Sequence, residues 1–460
     1  MSALRLAAVG PRRRKGAPPV EHSLLLTATL CLVAFGVVMV FSASSTTSLL
    51  GDAGDSAFYL KRTVLFGIAG LLVMRILAIR GVQIIHRLTP LILAVSLILL
   101  VVVLIPGVGV EVNGAKRWLG AGLFQIQPSE IAKLALVLHG ASLLAARPKM
   151  TRSIGSMMPF LVPVAVICML VVLEPDLGTA VISCLTAAAL LIAAGVPMRY
   201  LGVLAAALGA IVVIAILVEP YRVARLTGFL DPGSDPGGAG FQAIQAKIAL
   251  GSGGVFGVGL GESLQKAFYL PEAHTDMIAA VIGEELGLLG ITTLAGLFGL
   301  FGYAGLRAAQ RARDRYGRLL AAGLVSMVMV QAIINLSAVL GLAPLTGVPL
   351  PFVSYGNSSL LVMLAAVGLL LNVASGAVAT RAKPKPATSR RGSAGSARPA
   401  SRRTASSGGR LRVVEGNRAA SGRAGAQRRS SSSRANGRDS RGGNRRARSA
   451  GSRRRGRAQG

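Results

Sequence analysis

Hydrophobic positions in this chain run on without the alternation of a strand or the polar stripe of a surface helix. Residues 23–51, 88–110, 153–173, 177–198, 200–218 and 319–380 contain no Asp, Glu, Lys or Arg. A bilayer core takes about 20 apolar helical residues to cross. Each run therefore predicts one crossing, and the last predicts two, on either side of the Pro- and Gly-containing loop from Gly341 to Gly356. Three further segments, 63–79, 129–146 and 277–305, are apolar apart from a few polar positions and bring the expected total to ten. Helices are the expected form, because a lipid-exposed backbone has to satisfy its own hydrogen bonds and the runs lack the two-residue repeat of barrel strands. The pattern predicts an all-α integral membrane protein. Arg12, Arg13, Arg14 and Lys15 ahead of the first run, with Ser42-Ala43-Ser44 near its end, resemble a cleaved leader. The length of that run and the crossings after it predict a retained signal anchor instead.

Charge orients these crossings. With the N-terminus inside, the cytoplasmic loops hold Arg80 and Arg87, then Arg147, Lys149 and Arg152, then Arg199, then Arg307, Arg311, Arg313, Arg315 and Arg318. The opposite loops carry Lys61, Arg62, Lys116, Arg117, Arg222, Arg225, Lys247 and Lys266, interleaved with acids and set in longer loops. The excess of basic residues in short loops predicts cytoplasmic termini. It sends the segments around 111–130 and 219–276 to the outer face, the second as a large loop between the seventh and eighth crossings. The expected organisation is a basic N-terminus (1–22), a membrane domain (23–380, with the outer loop at 219–275) and a tail (381–460).

The tail differs in kind. Its residues include 24 Lys or Arg against Glu415 and Asp439, and it is rich in Ser, Gly and Ala. Such a segment cannot bury a core and is expected to be disordered. It accounts for most of the net charge of +32. The favoured partner is anionic lipid of the inner leaflet, where each basic residue contributes about 1 kcal/mol near the surface. An acidic cytoplasmic protein ranks second. Nucleic acid is disfavoured, since interleaved aromatics and a recognition module are both missing from the tail.

Cys31, Cys168 and Cys184 all fall in predicted crossings and define neither a disulfide framework nor a zinc spacing. His22, His86 and His139 stand alone, whereas His274 has Asp276 two residues on, at the mouth of the eighth crossing. A carboxylate and an imidazole there point to polar chemistry at the membrane surface. They could also ligate a cation, but two candidates do not define a metal site.

Other clusters share the outer side. Asn113, Lys116, Arg117 and Trp118 precede Gln127, Pro128, Ser129, Glu130 and Lys133. Ser129 is expected to cap the fourth crossing, and Glu130 and Lys133 share a helix face at i, i+3. The cluster reads either as a capped helix with a local ion pair or as an anion cradle. Glu174-Pro175-Asp176 makes a very short turn, and Tyr221, Arg222 and Arg225 open the long loop. Gly251 to Gly261 resembles a phosphate nest but lacks the surrounding βαβ unit, so a re-entrant segment fits better. Glu284, eight residues past Asp276, is expected about 12 Å deeper along the same helix. Like Glu285, it needs a partner there. Gln331 and Asn335 are expected to act as packing glue between helices.

Taken in order, VNGAKRWLGAGLFQIQPSEIAK from Val112, EPDLGT from Glu174, YRVARLTGFLDP from Tyr221, FQAIQAKIALGSGGVFGVGLGESLQKAFYLPEAHTD from Phe241, IGEELGLLG from Ile282 and QAIINLSAVLGLAPLTGVPLPFVSYG from Gln331 resemble the SEDS family. The likeness covers roughly residues 22–376 and leaves the tail outside. PEAHTD at Pro271 and VMVFSAS at Val38 are of the family's division type rather than its elongation type.

The resemblance implies a ten-helix peptidoglycan glycosyltransferase. It would polymerise lipid II at the outer face of the cytoplasmic membrane during septal wall synthesis, with a class B penicillin-binding protein and other divisome proteins as partners. It names no certain cofactor and leaves a divalent cation open. It casts Asp276 as the base that takes the acceptor hydroxyl proton, Arg117 and Lys133 as ligands of pyrophosphate or sugar, and Glu130 as the group that orients Lys133. Glu174, Asp176, Arg222 and His274 follow as second-rank substrate contacts. Two places depart from the family pattern: Met277-Ile278-Ala279-Ala280 stands where FIFA is usual, and Asn357 stands where Gly is usual. A lipid-precursor transporter, a non-catalytic scaffold and an elongation role are the other readings. A transporter would carry ionisable groups toward both faces, whereas these clusters crowd one.

Overall fold

The computed structural model describes residues 19–376 except positions 52, 53, 113, 123, 234, 239 and 268. The basic residues before position 19, Asn113 and the Arg-rich tail lie outside the described residues. The apolar runs form α1 (Val20–Leu50), α2 (Phe58–Val103), α3 (Pro128–Ala146), α4 (Ile154–Leu173), α5 (Leu177–Ala194) and α6 (Met198–Val218). They continue as α9 (Ile278–Arg311), α10 (Arg315–Val339) and α11 (Asn357–Ala374), after the shorter α7 (Pro220–Leu230) and α8 (Phe241–Ser252). Nine of the described helices, all but α7 and α8, are long and apolar enough to cross a membrane. The chain is a multi-pass membrane protein. Its polar segment after α2 folds into a small antiparallel sheet of β1 (Val110–Val112), β2 (Ala115–Ala121) and β3 (Phe124–Ile126) in the order β1-β2-β3.

One helix departs from expectation. The predicted crossings 63–79 and 88–110 fall in a single run, α2, and residues 80–87, expected to form a loop, are helical. The charges at Arg80 and Arg87 interrupt the apolar pattern without breaking the helix, and Pro90 is accommodated inside it. Its 46 residues make about 69 Å at 1.5 Å each. That is more than twice a hydrocarbon core of ~30 Å, so a count of ten crossings requires α2 to be counted twice.

Small residues let the helices approach. Gly67, Gly70 and Gly81 of α2 face Leu360, Leu364 and Leu369 of α11, and a Cβ on Gly368 would lie 2.5 Å from the Met74 carbonyl oxygen. Asn372 Nδ2 donates to the Ala78 carbonyl at 2.8 Å across the same contact. Close approach of this kind drives helix association where lipid supplies no hydrophobic contrast. The result is that α11 is buried along nearly its whole length, whereas α6 buries no residue. The Cys168 and Cys184 sulfurs meet at 3.2 Å between α4 and α5, a pairing that their spacing did not suggest.

The glycine-rich segment after α8 explains a break in α9. Gly287 is non-helical (φ 63°, ψ −158°), which frees backbone groups that lipid could not satisfy. The segment 254–259 takes them. Leu288 and Leu289 N–H donate to the carbonyls of Gly254 and Val255 (3.0 and 3.2 Å), and Val258 and Gly259 N–H donate to the carbonyls of Glu284 and Glu285 (3.0 and 3.1 Å). A Cβ on Gly257 would lie 2.1 Å from the Glu285 carbonyl oxygen, so only glycine permits this approach. With two of its N–H groups bonded to α9 in this way, the segment is a clamp on a helix and not a phosphate nest.

Side chains reinforce the clamp. Glu284 accepts from Ser263 Oγ and from Leu264 N–H. Glu285 accepts from Ser42 Oγ (2.6 Å to Oε2) and pairs with Lys266 Nζ at 2.9 Å, with all three residues buried. These are the partners that both glutamates require.

Candidate functional site

Asp276 stands at the end of a turn that runs from Leu270 into α9. The turn closes on Glu272, which adopts a left-handed φ of 55° and whose carbonyl accepts from the N–H groups of Thr275 (3.1 Å) and Met277 (3.3 Å). Neighbours grip the same backbone. Tyr355 N–H donates to the His274 carbonyl at 2.9 Å, and Asn335 Nδ2 donates to the Asp276 carbonyl at 2.8 Å. The main chain is thus held from α10 and from the loop before α11, and the Asp276 side chain is left half-buried.

Facing it is the loop after α10. Both Asp276 Oδ2 and Arg225 Nη1 come within 4 Å of the point where a Cβ on Gly347 would sit (3.9 and 3.8 Å). Gly347 has φ 69°, and its missing side chain keeps the space between them open. Burial is the main cause that pushes the Asp276 carboxyl up to about 7; the Glu272 charge adds to it and Arg225 opposes it. Near neutral pH this acid exchanges a proton readily, which suits a general base. The His274 ring stacks 4.4 Å from Tyr59 and 5.6 Å from Tyr355, and burial holds its pKa below the usual imidazole range.

The Glu174 to Asp176 turn lies behind that loop. A Cβ on Gly178 would fall 2.7 Å from the Thr346 carbonyl oxygen. Asp176 caps α5 by accepting from Thr179 N–H at 3.0 Å, and its other oxygen accepts from Gln127 Nε2 at 3.4 Å. Arg117 Nε donates to the Glu174 carbonyl at 3.0 Å, and its Nη2 donates to the Pro175 carbonyl. The guanidinium braces the turn.

The Glu174 carboxyl is 0% exposed side chain and makes no hydrogen bond among the described residues. Burial first, then the neighbouring Asp176 charge, pushes it up to about 8 against the pull of Arg117. Between the ordinary carboxyl range and pH 8 the unfolded chain has released this proton and the folded chain has kept it, so stability falls as pH rises. We expect the apparent melting temperature of the wild type in detergent to drop from pH 5 to pH 8, and Glu174→Gln to flatten that slope. Parallel slopes would rule out a protonated Glu174.

Lys133 and Glu130 are each only 1% exposed. Lys133 Nζ donates to Glu130 Oε1 at 2.9 Å and to Gln331 Oε1 at 2.6 Å, and Gln331 Nε2 donates to the Pro349 carbonyl at 2.9 Å. The expected orienting pair is present, and it is connected through Gln331 to the loop that faces Asp276. Gln331 and Asn335 tie α10 to Lys133, to the Asp276 backbone and to the loop after α10. Ser129 does not cap α3: the helix starts at Pro128 with Gln127 in the cap position, because proline at the first turn sets the start two residues earlier than the serine suggested. Ser129 Oγ is left buried without a hydrogen bond among the described residues.

Asp276, His274, Glu174, Asp176 and Arg117 gather at the end of the bundle that carries the sheet, with the buried Glu130 and Lys133 beneath. Arg222 stands apart, its guanidinium bonded to the carbonyls of Ala215 (2.8 Å) and Val172 (3.4 Å). The neighbour that meets Asp276 is Arg225, one helical turn further along α7. It also donates to the Leu345 carbonyl at 3.2 Å and lies 4.9 Å over the Tyr221 ring. The family departures are absorbed: Met277, Ile278, Ala279 and Ala280 are all buried, and Asn357 opens α11 in helical conformation, where glycine's freedom is not needed. Among the described residues, no three His, Cys, Asp or Glu converge as a metal site.

Known proteins carry the same framework. A family model described as "Cell cycle protein" (FtsW, RodA, SpoVE) matches residues 22–378. A probable peptidoglycan glycosyltransferase FtsW of Trichlorobacter lovleyi is 42% identical over 364 residues, 77% of this chain and 94% of the relative. The stage V sporulation protein E of Bacillus subtilis is 41% identical over 351 residues, 76% and 96% of the two chains. Among solved structures, a chain from a peptidoglycan synthase complex, described as coordinating polymerization and crosslinking, matches with TM-score 0.63 and 33% identity over 76% of this chain and 96% of that one. The rod shape determining protein RodA of Thermus thermophilus matches with TM-score 0.55 and 28% identity over 76% and 95%.

Proposed function

Because this chain belongs to the FtsW/RodA/SpoVE family of cell cycle proteins, we propose that it is a peptidoglycan glycosyltransferase. In this reading it polymerises lipid II into glycan strands at the outer face of the cytoplasmic membrane. The work is done at the division septum beside a class B penicillin-binding protein. The observation that carries the reading is Asp276: a half-buried carboxyl with its pKa near neutrality, its backbone clamped by Asn335, and a guanidinium facing it across Gly347. Relatives named as glycosyltransferases and the likeness to a chain of a peptidoglycan synthase complex support it. The division role rests on the FtsW naming of relatives and on the PEAHTD and VMVFSAS segments.

The acceptor sugar hydroxyl attacks the anomeric carbon of the donor, and its proton passes to Asp276. The bond from the anomeric carbon to the diphosphate oxygen breaks, and the polyprenyl diphosphate leaves with the electron pair. Arg225 is the cation that faces Asp276 across Gly347. Arg117 and Lys133 act on the substrate from behind, through the Glu174 turn and through Gln331.

Labelled lipid II offered to the purified full-length protein, with a transpeptidase-blocked class B penicillin-binding protein, is expected to give glycan strands. Folded protein that yields none, with or without the partner, would overturn the reading. A base acts only once deprotonated, so kcat/KM is expected to rise with pH and reach half its plateau near 7. A flat profile from pH 5 to pH 8 would remove Asp276 from that role.

A further inference from the structure

Helices α4 and α5 meet beneath the Glu174 turn that joins them, and their contact holds two of the chain's three cysteines. Cys168 lies six residues before Glu174 and Cys184 eight residues after Asp176, about 9 and 12 Å along their helices. That depth falls inside a hydrocarbon core of ~30 Å. The Cys168 thiol donates to the Ala180 carbonyl at 3.7 Å, so the 3.2 Å contact between the sulfurs is the Cys184 S–H resting on the Cys168 sulfur. Neither thiol has a part in the chemistry at Asp276.

Both thiols are partly exposed, and the residues beside them, Met169 and Leu185, are exposed as well. The pair therefore opens on the outer edge of the α4–α5 contact, at lipid depth, and not into the bundle core. Helix α4 is weakly held. It buries five of its 20 residues and carries Pro159 and Pro163 inside, each of which removes a backbone hydrogen bond. The two sulfurs need approach by only about 1.2 Å more to bond. A bond there would tie α4 to α5 directly below the turn that Arg117 braces.

We propose that Cys168 and Cys184 are a dithiol site for a lipid-soluble quinone, which oxidises them to a disulfide. The Sγ–Sγ bond forms as both S–H bonds break, and the two electrons and two protons released reduce the quinone to its hydroquinone. A quinone suits the site because it dissolves in hydrocarbon, where aqueous oxidants do not reach, and it accepts both electrons. The disulfide closes a loop of about 17 residues around the Glu174 turn and stabilises the folded chain by restricting the unfolded one. No group of the Asp276 site takes part, so the dithiol stands whether or not the chain is a glycosyltransferase.

The test uses the full-length protein, reduced and reconstituted in phospholipid vesicles, with a short-tailed quinone whose ring is fully substituted and so cannot alkylate thiols. Once the protein is unfolded, a maleimide should label all three cysteines before quinone treatment and Cys31 alone after it. One hydroquinone should form per protein, and the peptide map should show a Cys168–Cys184 link. The oxidised protein should melt about 5 °C higher than the reduced one, the scale for closing a loop of this length, and a thiol reductant should reverse both changes. Cys184→Ser should keep its remaining thiols and its melting temperature when quinone is added. Three labelled cysteines after quinone, or a link that includes Cys31, would overturn the site. So would equally fast oxidation by glutathione disulfide confined to the water, which would make the pair an aqueous one. An unchanged melting temperature in the linked protein would remove the tie between α4 and α5.

Discussion

Asp276→Asn is expected to lower the rate of glycan polymerisation by about 10²–10⁴-fold, the range that general base catalysis contributes, without unfolding the protein. The fold is spared because the contact that anchors this residue is made by its backbone: the Asp276 carbonyl, not the carboxylate, accepts from Asn335. Asn keeps the shape and the half-buried position while removing the group that takes the proton. It also removes the charge that burial disfavours, so above pH 7 the melting temperature of the variant should equal or exceed that of the wild type. Initial rates with saturating lipid II, measured alongside thermal melting, decide it. A rate within threefold of wild type would mean that the hydroxyl proton goes elsewhere.

The second large effect is on stability. Lys133→Met leaves Glu130 buried without its cation, and breaking an enclosed ion pair costs about 3–5 kcal/mol. The double variant Glu130→Gln/Lys133→Met removes both charges and should recover most of the lost melting temperature. Activity need not return with it. Lys133 holds Gln331, Gln331 holds the Pro349 carbonyl, and that loop carries Gly347 over Asp276. We expect the refolded double variant to polymerise at least tenfold more slowly than wild type, with a change in kcat and little in KM, because a slack loop misplaces the base relative to the substrate. Full recovery of rate together with stability would reduce the pair to a structural brace.

The sequence made the membrane helices legible because runs without charge have one physical explanation at that length. It also made Asp276 legible, because an acid at a helix mouth demands a reason. What it hid depends on distance. Ser42 and Glu285 are 243 positions apart, and nothing local indicates that Lys266 will join them. Arg225 opens a long polar loop in the sequence, and nothing local places it across Gly347 from Asp276, about 50 positions further on. Arg222 and Arg225 look equivalent in the string, yet one helical turn sends the first to backbone carbonyls and the second to the base. The continuity of α2 was missed for the opposite reason: Arg80 and Arg87 looked like a loop, but charge marks exposure and does not itself stop a helix.

The clamp on α9 also bears on how the chain is built. Residues 254–259 are synthesised before residues 284–289, and the two are separated by only about 30 residues, a span over which loop closure costs little entropy. The partner for the broken turn at Gly287 therefore already exists when that turn is made. A helix that would otherwise enter the bilayer with open backbone groups can close them from a neighbour just behind it, before α10 and α11 exist. Contacts this local form early and quickly, so the segment that presents the base can reach its final shape while the rest of the bundle is still unmade.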